Sequence, residues 1–354
     1  MSRKQDLKVL SIEKITASSV VINLEKMTGY DYQSGQYITF ELNIDGEQIN
    51  RSYSFSSSPH EDVWQVGVKH VLNGKASTFL NKSLAVGDSI TSLEPMGNFL
   101  LPETNPSETH YQFFAAGSGI TPIYSMLKTL LRNGNAAKIS LFYGNKSPEE
   151  TMFLDELNTL NSANPNFNLE LIYSKSGGLD ALHSGRMNFG KTLELLRLHA
   201  SNELDSHAFM CGPGDMINSV KNALQDSGFN DDTIHVEFFT APVSASPELT
   251  PDNTEEITDF SGTAKVKVIL DDEETMIEAG SEGPVLLDAA LDSGLDAPFS
   301  CRGGVCTACR AKVIKGKVHM TSNFALTDSE VKEGFILTCQ AHPRTPELEV
   351  SYDE

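Results

Sequence analysis

Four cysteines near the carboxyl end constrain the fold of this chain more than any other feature. Cys301, Cys306 and Cys309 follow the spacing C-x4-C-x2-C, and Cys339 comes later, with 29 residues in between. Such a run with a distant fourth cysteine is a known ligand spacing of [2Fe–2S] clusters, whose two tetrahedral irons need four thiolates beyond their bridging sulfides. We therefore expect these four residues to be metal ligands.

The loop between the cysteines consists largely of small residues. Gly303, Gly304, Thr307 and Ala308 allow backbone amides to face the sulfur atoms. The alternative is a zinc site, but zinc usually takes two short C-x2–4-C pairs, and here a single short pair stands beside a longer gap and a distant cysteine. The spacing favours iron and sulfide over zinc.

Length and composition indicate a large globular protein. The 354 residues suffice for two or three domains, and no apolar run approaches the roughly 20 residues of a membrane span. The first residues also lack the apolar segment of a secretory signal, so we expect a cytoplasmic protein. Its odd number of cysteines, five, argues against a disulfide framework.

The balance of charge restricts the possible partners. The chain has 27 basic and 48 acidic residues, which gives a net charge of −21. Nucleic acids and anionic membranes bind clusters of Lys and Arg, so the charge argues against both. A basic protein partner and an acidity that serves only solubility are both compatible with this composition.

The apolar pattern divides the chain into segments. Short alternating strands over 1–106 predict an antiparallel β-barrel, and strands that alternate with helical stretches over 107–240 predict a parallel sheet covered by helices. Residues 241–262 contain three prolines and five acids without a base, so we expect a charged linker that lets the last domain move. The cysteines lie in a small third domain over 263–354.

Residues 263–354, with their cysteine spacing, resemble a plant-type ferredoxin domain. The resemblance implies a β-grasp fold and an exposed one-electron carrier of low potential, on the order of −400 mV. The expected architecture is therefore multidomain: a β-barrel, an α/β domain and a β-grasp domain.

Four short motifs occur ahead of this domain in a fixed order. They are RSYSFSS (51–57), FFAAGSGITP (113–122), FMCGPGD (209–215) and VEFF (236–239). Each is weak alone, but together they resemble the ferredoxin–NADP+ reductase superfamily over about residues 5–240. The resemblance implies a flavin on the barrel and a nicotinamide nucleotide on the α/β domain.

The first motif and the segment KHVLNGKAST (69–78) fit a flavin. Arg51 can form charge-assisted bonds to pyrophosphate, Tyr53 offers a ring for stacking, and Ser54 can bond the flavin nitrogen that accepts hydride. The later segment resembles the family's second phosphate-binding segment, where backbone amides bind phosphate, and two phosphates favour FAD over FMN. Its candidate cofactor-binding residues are Lys69, His70, Gly74, Lys75, Ala76 and Ser77.

The GSGITP motif lies between a predicted strand and a predicted helix, and we expect Pro122 at the first helical position. Gly117 and Gly119 would let a dinucleotide pyrophosphate approach the helix N-terminus closely. The motif is neither G-x-G-x-x-G nor a Walker loop and does not itself name the ligand. By family resemblance, Thr121 contacts the flavin edge.

The last two motifs fit the nicotinamide end of the site. A cysteine at a strand end is often only a small buried apolar residue, but the resemblance places Cys211, Gly212 and Pro213 beside the nicotinamide. It also gives Glu237 a part in proton balance and puts Phe239 near the flavin.

The choice of nicotinamide nucleotide depends on the residues that meet the adenosine ribose. NAD enzymes commonly place an acid on the ribose hydroxyls, whereas NADP enzymes offer a base. Here the strand LELIYSKS ends in Ser174 and Lys175, where NADP-type relatives often carry Ser-Arg. Lys is a less specific phosphate ligand than Arg, so NADPH is favoured and NADH stays possible.

The domain order resembles the reductase components of bacterial oxygenases, such as those of phenylacetyl-CoA epoxidase and 3-ketosteroid hydroxylase. The resemblance implies an enzyme that takes electron pairs from NAD(P)H and delivers them singly to an iron oxygenase. One alternative is a reductase for an aromatic-ring dioxygenase. The other is a redox-sensing or electron-carrying module whose flavin half is inert.

Overall fold

The computed structural model describes residues 4–132, 137–175, 180–199, 205–239 and 260–354. They form two compact units, the first ending at Phe239 and the second described from Phe260 onward. The linker predicted over 241–262 lies outside the described residues as far as residue 259. No helix of the described ranges is long and apolar enough to cross a membrane.

The first unit begins with a six-stranded antiparallel sheet in the spatial order β4-β3-β6-β1-β2-β5. A bridge between Phe55 and Val66 joins the two edge strands, so the sheet curls into a barrel as predicted. A short helix, α1 (Lys75–Lys82), packs against β5. The strands are β1 (Lys4–Thr16), β2 (Ser19–Leu24), β3 (Tyr37–Ile44), β4 (Glu47–Ser54), β5 (Trp64–Lys69) and β6 (Ser89–Leu93).

The second half of this unit is a five-stranded parallel sheet in the order β11-β10-β7-β8-β9, which confirms the predicted α/β fold. The carboxyl ends of β7, β9 and β10 lead directly into the predicted nucleotide-binding residues. The strands are β7 (Thr109–Ala116), β8 (Lys138–Asn145), β9 (Phe167–Tyr173), β10 (Asp205–Gly212) and β11 (Ile234–Phe238). The helices are α2 (Ile120–Leu131), α3 (Leu154–Ala163), α4 (Phe189–His199) and α5 (Gly214–Asp226).

Helix α2 begins two residues earlier than the sequence predicts. A 3-10 turn over Gly117–Gly119 runs straight into Ile120, so Pro122 is the third helical residue and the prediction that it is the first was wrong. The first four amides of a helix have no partner within it, so a proline at the third position removes no helical hydrogen bond.

Barrel and parallel sheet share a hydrophobic core. Val21 of β2 and Phe99, which follows the barrel, are buried together with the apolar side of α2. Ser125 of α2 donates a hydrogen bond to the carbonyl of Ser57, and Lys128 lies 2.6 Å from Glu61. These contacts make one compact unit of the two halves.

The second unit is a mixed five-stranded sheet in the order β13-β12-β18-β14-β16, with β12 and β18 parallel at its centre. Helix α6 buries Leu286, Leu287 and Ala290 in its core, which confirms the β-grasp fold. The sheet strands are β12 (Thr263–Leu270), β13 (Glu273–Gly280), β14 (Arg310–Lys315), β16 (Phe335–Leu337) and β18 (Glu347–Ser351). The other elements are β15 (Val318–Met320), which pairs with β17 (Ala341–Pro343), and the helices α6 (Leu286–Asp292) and α7 (Asp328–Lys332).

Candidate functional site

The four predicted cluster cysteines lie together in the second unit. The Sγ atoms of Cys301 and Cys306 are 3.1 Å apart, and Cys309 and Cys339 form a second hydrogen-bonded pair. Cys306, Cys309 and Cys339 are buried, whereas Cys301 is partly exposed. The loop therefore supplies three of the four sulfurs, and the segment after β16 supplies the fourth.

The loop backbone explains why small residues alternate with the cysteines. Gly304 has φ +71°, and a Cβ at this position would lie 3.0 Å from the carbonyl oxygen of Ser322. Arg302 also has a positive φ, of 53°. The turn directs the backbone N–H of Gly303 at the Cys301 sulfur, at 3.4 Å, as a metal-bound thiolate requires.

Two buried residues hold the second pair of sulfurs together. The backbone N–H and the hydroxyl of Thr338 both donate to the carbonyl of Cys309, at 3.1 and 3.0 Å. The hydroxyl of Tyr352 lies 3.0 Å from the same Thr338 oxygen. Neither residue belongs to a motif that signals a cluster, so the sequence alone does not indicate this pair.

The electrostatics of the sulfurs fit a bound cluster. Hydrogen bonds from the thiols of Cys306 and Cys339 lower the pKa of Cys301 to about 2, and the same bonds raise the pKa of the two donors. Four thiolates this close repel one another unless cations lie among them. In the described residues no group of three His, Cys, Asp or Glu is arranged to hold a metal ion; the four thiols are linked to one another by hydrogen bonds between Cys301 and Cys306, Cys301 and Cys339, and Cys309 and Cys339.

Three predicted catalytic residues converge in the first unit. Ser54 ends the barrel strand β4, Cys211 lies near the end of β10, and Glu237 lies beside it on β11. The Ser54 hydroxyl donates to Glu237 Oε2 at 3.2 Å, and the Cys211 thiol donates to the same oxygen at 3.8 Å. One carboxylate therefore joins the flavin half to the nucleotide half.

Glu237 is buried, and its pKa lies closer to neutral pH than that of an ordinary carboxyl group. Burial raises its pKa to about 8, although the hydrogen bonds from Ser54 and Cys211 act in the opposite direction. Burial and the neighbouring Glu237 also raise the pKa of the Cys211 thiol well above its usual value. Glu237 Oε2 can take up or release a proton next to Ser54, while the thiol stays neutral.

The other residues of the first motif lie on the same strand. Tyr53 is partly buried, with its ring centroid 5.5 Å from that of Phe40. Arg51 is exposed, and its guanidinium donates to the carbonyl of Asn50 at 2.7 Å. A flavin nucleotide bound beside β4 would find the ring of Tyr53 for stacking and the guanidinium of Arg51 for its pyrophosphate.

The segment 69–78 forms the turn before α1 and the start of that helix. Gly74 is the N-cap residue of α1, and its carbonyl accepts the first helical hydrogen bond, from the backbone N–H of Thr78. The amides of Lys75, Ala76 and Ser77 therefore precede the first helical hydrogen bond, which suits a phosphate. The Lys75 ammonium is exposed and paired with Glu47 of β4, which brings the segment to the strand of Arg51.

Lys69 and His70 precede this turn. The ammonium of Lys69 lies 4.0 Å from Glu150, and burial lowers its pKa. A Cβ at Gly117 would lie 3.9 Å from the same nitrogen, so Lys69 faces the glycine turn of the nucleotide half. His70 Nε2 lies 3.2 Å from the Thr78 hydroxyl, which connects the turn after β5 to α1.

The glycine turn, Gly117–Gly119, is packed against the end of β10. A Cβ at Gly119 would lie 2.1 Å from the carbonyl oxygen of Cys211, so no larger residue fits there. The buried Tyr143, which the sequence analysis missed, donates to the carbonyl of Gly117 at 2.9 Å. Thr121 is buried and donates to the carbonyl of Ser118 at 3.0 Å.

The remaining predicted residues lie at the ends of three strands. Gly212 ends β10 and Pro213 caps α5, next to Cys211. Ser174 and Lys175 are exposed after β9, where the Lys175 amide donates to the carbonyl of Lys146 at 2.9 Å. Lys175 follows β9, at the opposite edge of the sheet from β11, so the structure does not bring Lys175 to Glu237. Phe239 is 36% exposed and is the last described residue of its unit.

Three family models match this chain in succession. They are an oxidoreductase FAD-binding domain over 6–100, an oxidoreductase NAD-binding domain over 113–222, and a 2Fe-2S iron-sulfur cluster binding domain over 268–344. The fold is similar to that of phthalate dioxygenase reductase, with a TM-score of 0.60 and 21% identity over 98% of both chains. The protein is therefore an NAD(P)H oxidoreductase that uses FAD and a [2Fe–2S] cluster.

Curated relatives define the family. The chain is 32% identical to a component of 1,2-phenylacetyl-CoA epoxidase from Escherichia coli, over 100% of this chain and 99% of the relative. It is 35% identical to the ferredoxin reductase component of 3-ketosteroid-9-alpha-monooxygenase from Mycolicibacterium smegmatis, over 91% and 88%. The chain belongs to this family of reductase components, in which FAD-, NAD- and [2Fe–2S]-binding domains follow one another.

The raised pKa of Glu237 predicts a pH-dependent reduction of the flavin. An anion beside a group that accepts electrons opposes their arrival, so the protonated acid should be the active form. The rate of flavin reduction by NADPH should fall about tenfold per pH unit well above pH 8. Glu237→Gln should abolish this fall, and the exposed Glu156→Gln should keep it. Stopped-flow absorbance measures the rate, and an unchanged pH profile in Glu237→Gln would refute the assignment.

Proposed function

We propose that this protein oxidises NADPH at its FAD site and passes the electrons one at a time, through its [2Fe–2S] cluster, to the oxygenase component of a bacterial monooxygenase or epoxidase. The observation that carries the proposal is the junction of Ser54, Cys211 and Glu237, where the flavin strand and the nicotinamide strand share one carboxylate. When bound, FAD accepts electron pairs and the cluster carries single electrons.

The proposal that the electron acceptor is an oxygenase is supported by the relatives of this chain and not by a contact among the described residues. Two of them are components of a phenylacetyl-CoA epoxidase and of a 3-ketosteroid monooxygenase. A reductase that serves an aromatic-ring dioxygenase is the alternative acceptor assignment. An electron carrier with an inert flavin half is disfavoured, because Ser54, Cys211 and Glu237 are all present and in contact.

The proposed division of labour follows the predicted domain limits. We assign FAD binding to 1–106, nucleotide binding to 107–240, the linker to 241–262 and the cluster to 263–354. The three family models fall inside the assigned domains. A cytoplasmic location is part of the proposal and is supported by five cysteines without a disulfide.

The preference for NADPH is supported by the surroundings of Lys175. Its backbone is bonded to that of Lys146, so two cationic residues follow adjacent strands at the nucleotide edge of the sheet. A phosphate on the ribose would gain charge-assisted hydrogen bonds there.

Reversal of the Lys175 charge tests this preference. Lys175→Glu should lower the NADPH to NADH ratio of kcat/KM by about tenfold or more, since a charged hydrogen bond contributes about 1.5–3 kcal/mol. Lys221→Glu on α5 is the control for a change of net charge and should leave the ratio unaltered. If the ratio is the same in Lys175→Glu and in the wild type, Lys175 does not bind the 2′-phosphate.

Loss of one cluster ligand should separate the two halves of the reaction. Cys309→Ser removes a thiolate, but the flavin belongs to the other unit and should be unaffected. NADPH-dependent reduction of ferricyanide, which can take electrons from flavin, should persist, whereas reduction of cytochrome c or an oxygenase should be lost. Cys211→Ser is the control and should slow all acceptors together. Equal loss of every activity in FAD-loaded Cys309→Ser would contradict the proposed electron route.

A further inference from the structure

Gly67 interrupts the apolar pattern of barrel strand β5. Its neighbours Val66 and Val68 are fully buried in the barrel core, so strand alternation directs position 67 to the other face of the sheet. Its partner across the strands is Val21, which is buried in the core shared with α2. Gly67 therefore faces the nucleotide half of the unit.

Three side chains of the nucleotide half occupy the space above Gly67. A Cβ at this position would lie 2.8 Å from Thr121 Cγ2, 2.9 Å from Met152 Cε and 3.4 Å from Phe153 Cζ. Carbon atoms pack best at about 3.5–4.0 Å. Met152 can move the end of its flexible side chain, but the methyl group of Thr121 is fixed close to the backbone of α2. An added methyl at position 67 would displace the start of α2 by close to 1 Å.

Phe153 holds its position at the cost of an unusual backbone conformation. It has φ +59°, and its carbonyl accepts the hydrogen bond from Leu157 that opens α3. Its ring stacks on Tyr124 of α2 with the centroids 4.5 Å apart. A non-glycine residue in the left-handed region persists where its surroundings fix it firmly, so this side of the contact cannot easily yield.

Thr121 connects this contact to the nucleotide-binding turn. Its hydroxyl donates to the carbonyl of Ser118, within the Gly117–Gly119 turn. At Gly119, this glycine turn packs directly on the backbone of Cys211. A shift of Thr121 therefore shifts the turn and the strand end that would hold the nicotinamide.

We infer that Gly67 is a positioning residue, which sets the depth at which the nucleotide-binding turn meets the flavin barrel and so the separation of nicotinamide and flavin. The inference rests on the proposed function, since it concerns hydride transfer between these two groups. Gly67 contacts neither group through a side chain of its own and acts through Thr121.

The test compares Gly67→Ala with the wild type by anaerobic stopped-flow reduction with NADPH. A misplacement of about 1 Å can cost about 100-fold in rate, so the limiting rate of flavin reduction should fall roughly 100-fold. The affinity for NADP+ should change little, and dithionite should still reduce the flavin fully. The control is Gly190→Ala on α4, where a Cβ has no neighbour closer than 3.9 Å, and its rate should be that of the wild type.

A double variant distinguishes positioning from a general loss of structure. Thr121→Ser deletes the methyl group that the new Cβ would meet and retains the hydroxyl that bonds Ser118. The limiting rate of flavin reduction in the double variant Gly67→Ala with Thr121→Ser should be close to that of Thr121→Ser alone. If Gly67→Ala by itself does not retain FAD, the double variant provides the test. A normal limiting rate in Gly67→Ala, or a double variant that stays slow or loses FAD, would overturn the inference. A wild type that neither NADPH nor NADH reduces would refute the proposed function instead.

Discussion

The hydrogen bonds to Glu237 Oε2 join the parts of the first unit on which its chemistry depends. Ser54 and Glu237 are 183 residues apart in sequence and 3.2 Å apart in space. This contact forms only if the barrel and the parallel sheet pack closely enough against each other. The core that they share around α2 and the absence of a side chain at Gly67 permit this close packing. The same carboxylate oxygen accepts a hydrogen bond from Cys211, so β4 of the barrel and β10 of the parallel sheet are both bonded to one atom.

The second unit brings four cysteine sulfurs close together. Thiols at these separations cannot all ionise unless positive charge lies among them, and the irons of a bound cluster would supply that charge; the fold has to bring the four sulfurs together. It does so with a loop that needs Gly304 at φ +71° and with the bonds from Thr338 to the Cys309 carbonyl. The metal and the protein therefore stabilise each other, as in other sites whose ligands come from distant segments.

Much of this architecture could be predicted from the sequence because its signals are local. The sequence TAKVKVIL predicts a strand, and these residues form β12, Thr263–Leu270. The cysteine spacing alone indicates the cluster. Tertiary contacts decide what the local pattern leaves open. β4 has the polar sequence EQINRSYS and is a strand because it pairs with β3 along its whole length. The start of α2 was misplaced because the proline signal ignores the turn that precedes it.

The residues that a sequence motif cannot find are those whose role is to support others. Tyr143, Thr338 and Tyr352 are ordinary buried residues by composition, and only their hydrogen bonds to the glycine turn and the cluster loop give them a function. Gly67 differs from these, since a glycine inside a strand is a known signal of close approach. What approaches it, however, lies 54 positions further along the chain at Thr121.

The most direct test of the whole account is the anaerobic reaction of the purified protein with NADPH, followed by absorbance and electron paramagnetic resonance on a sample assayed for metal and sulfide. We expect two irons and two labile sulfides per chain, bleaching of bound FAD, and then the resonance signal of a reduced [2Fe–2S] cluster. Zinc without sulfide, or bleached FAD beside a cluster that stays oxidised, would contradict it.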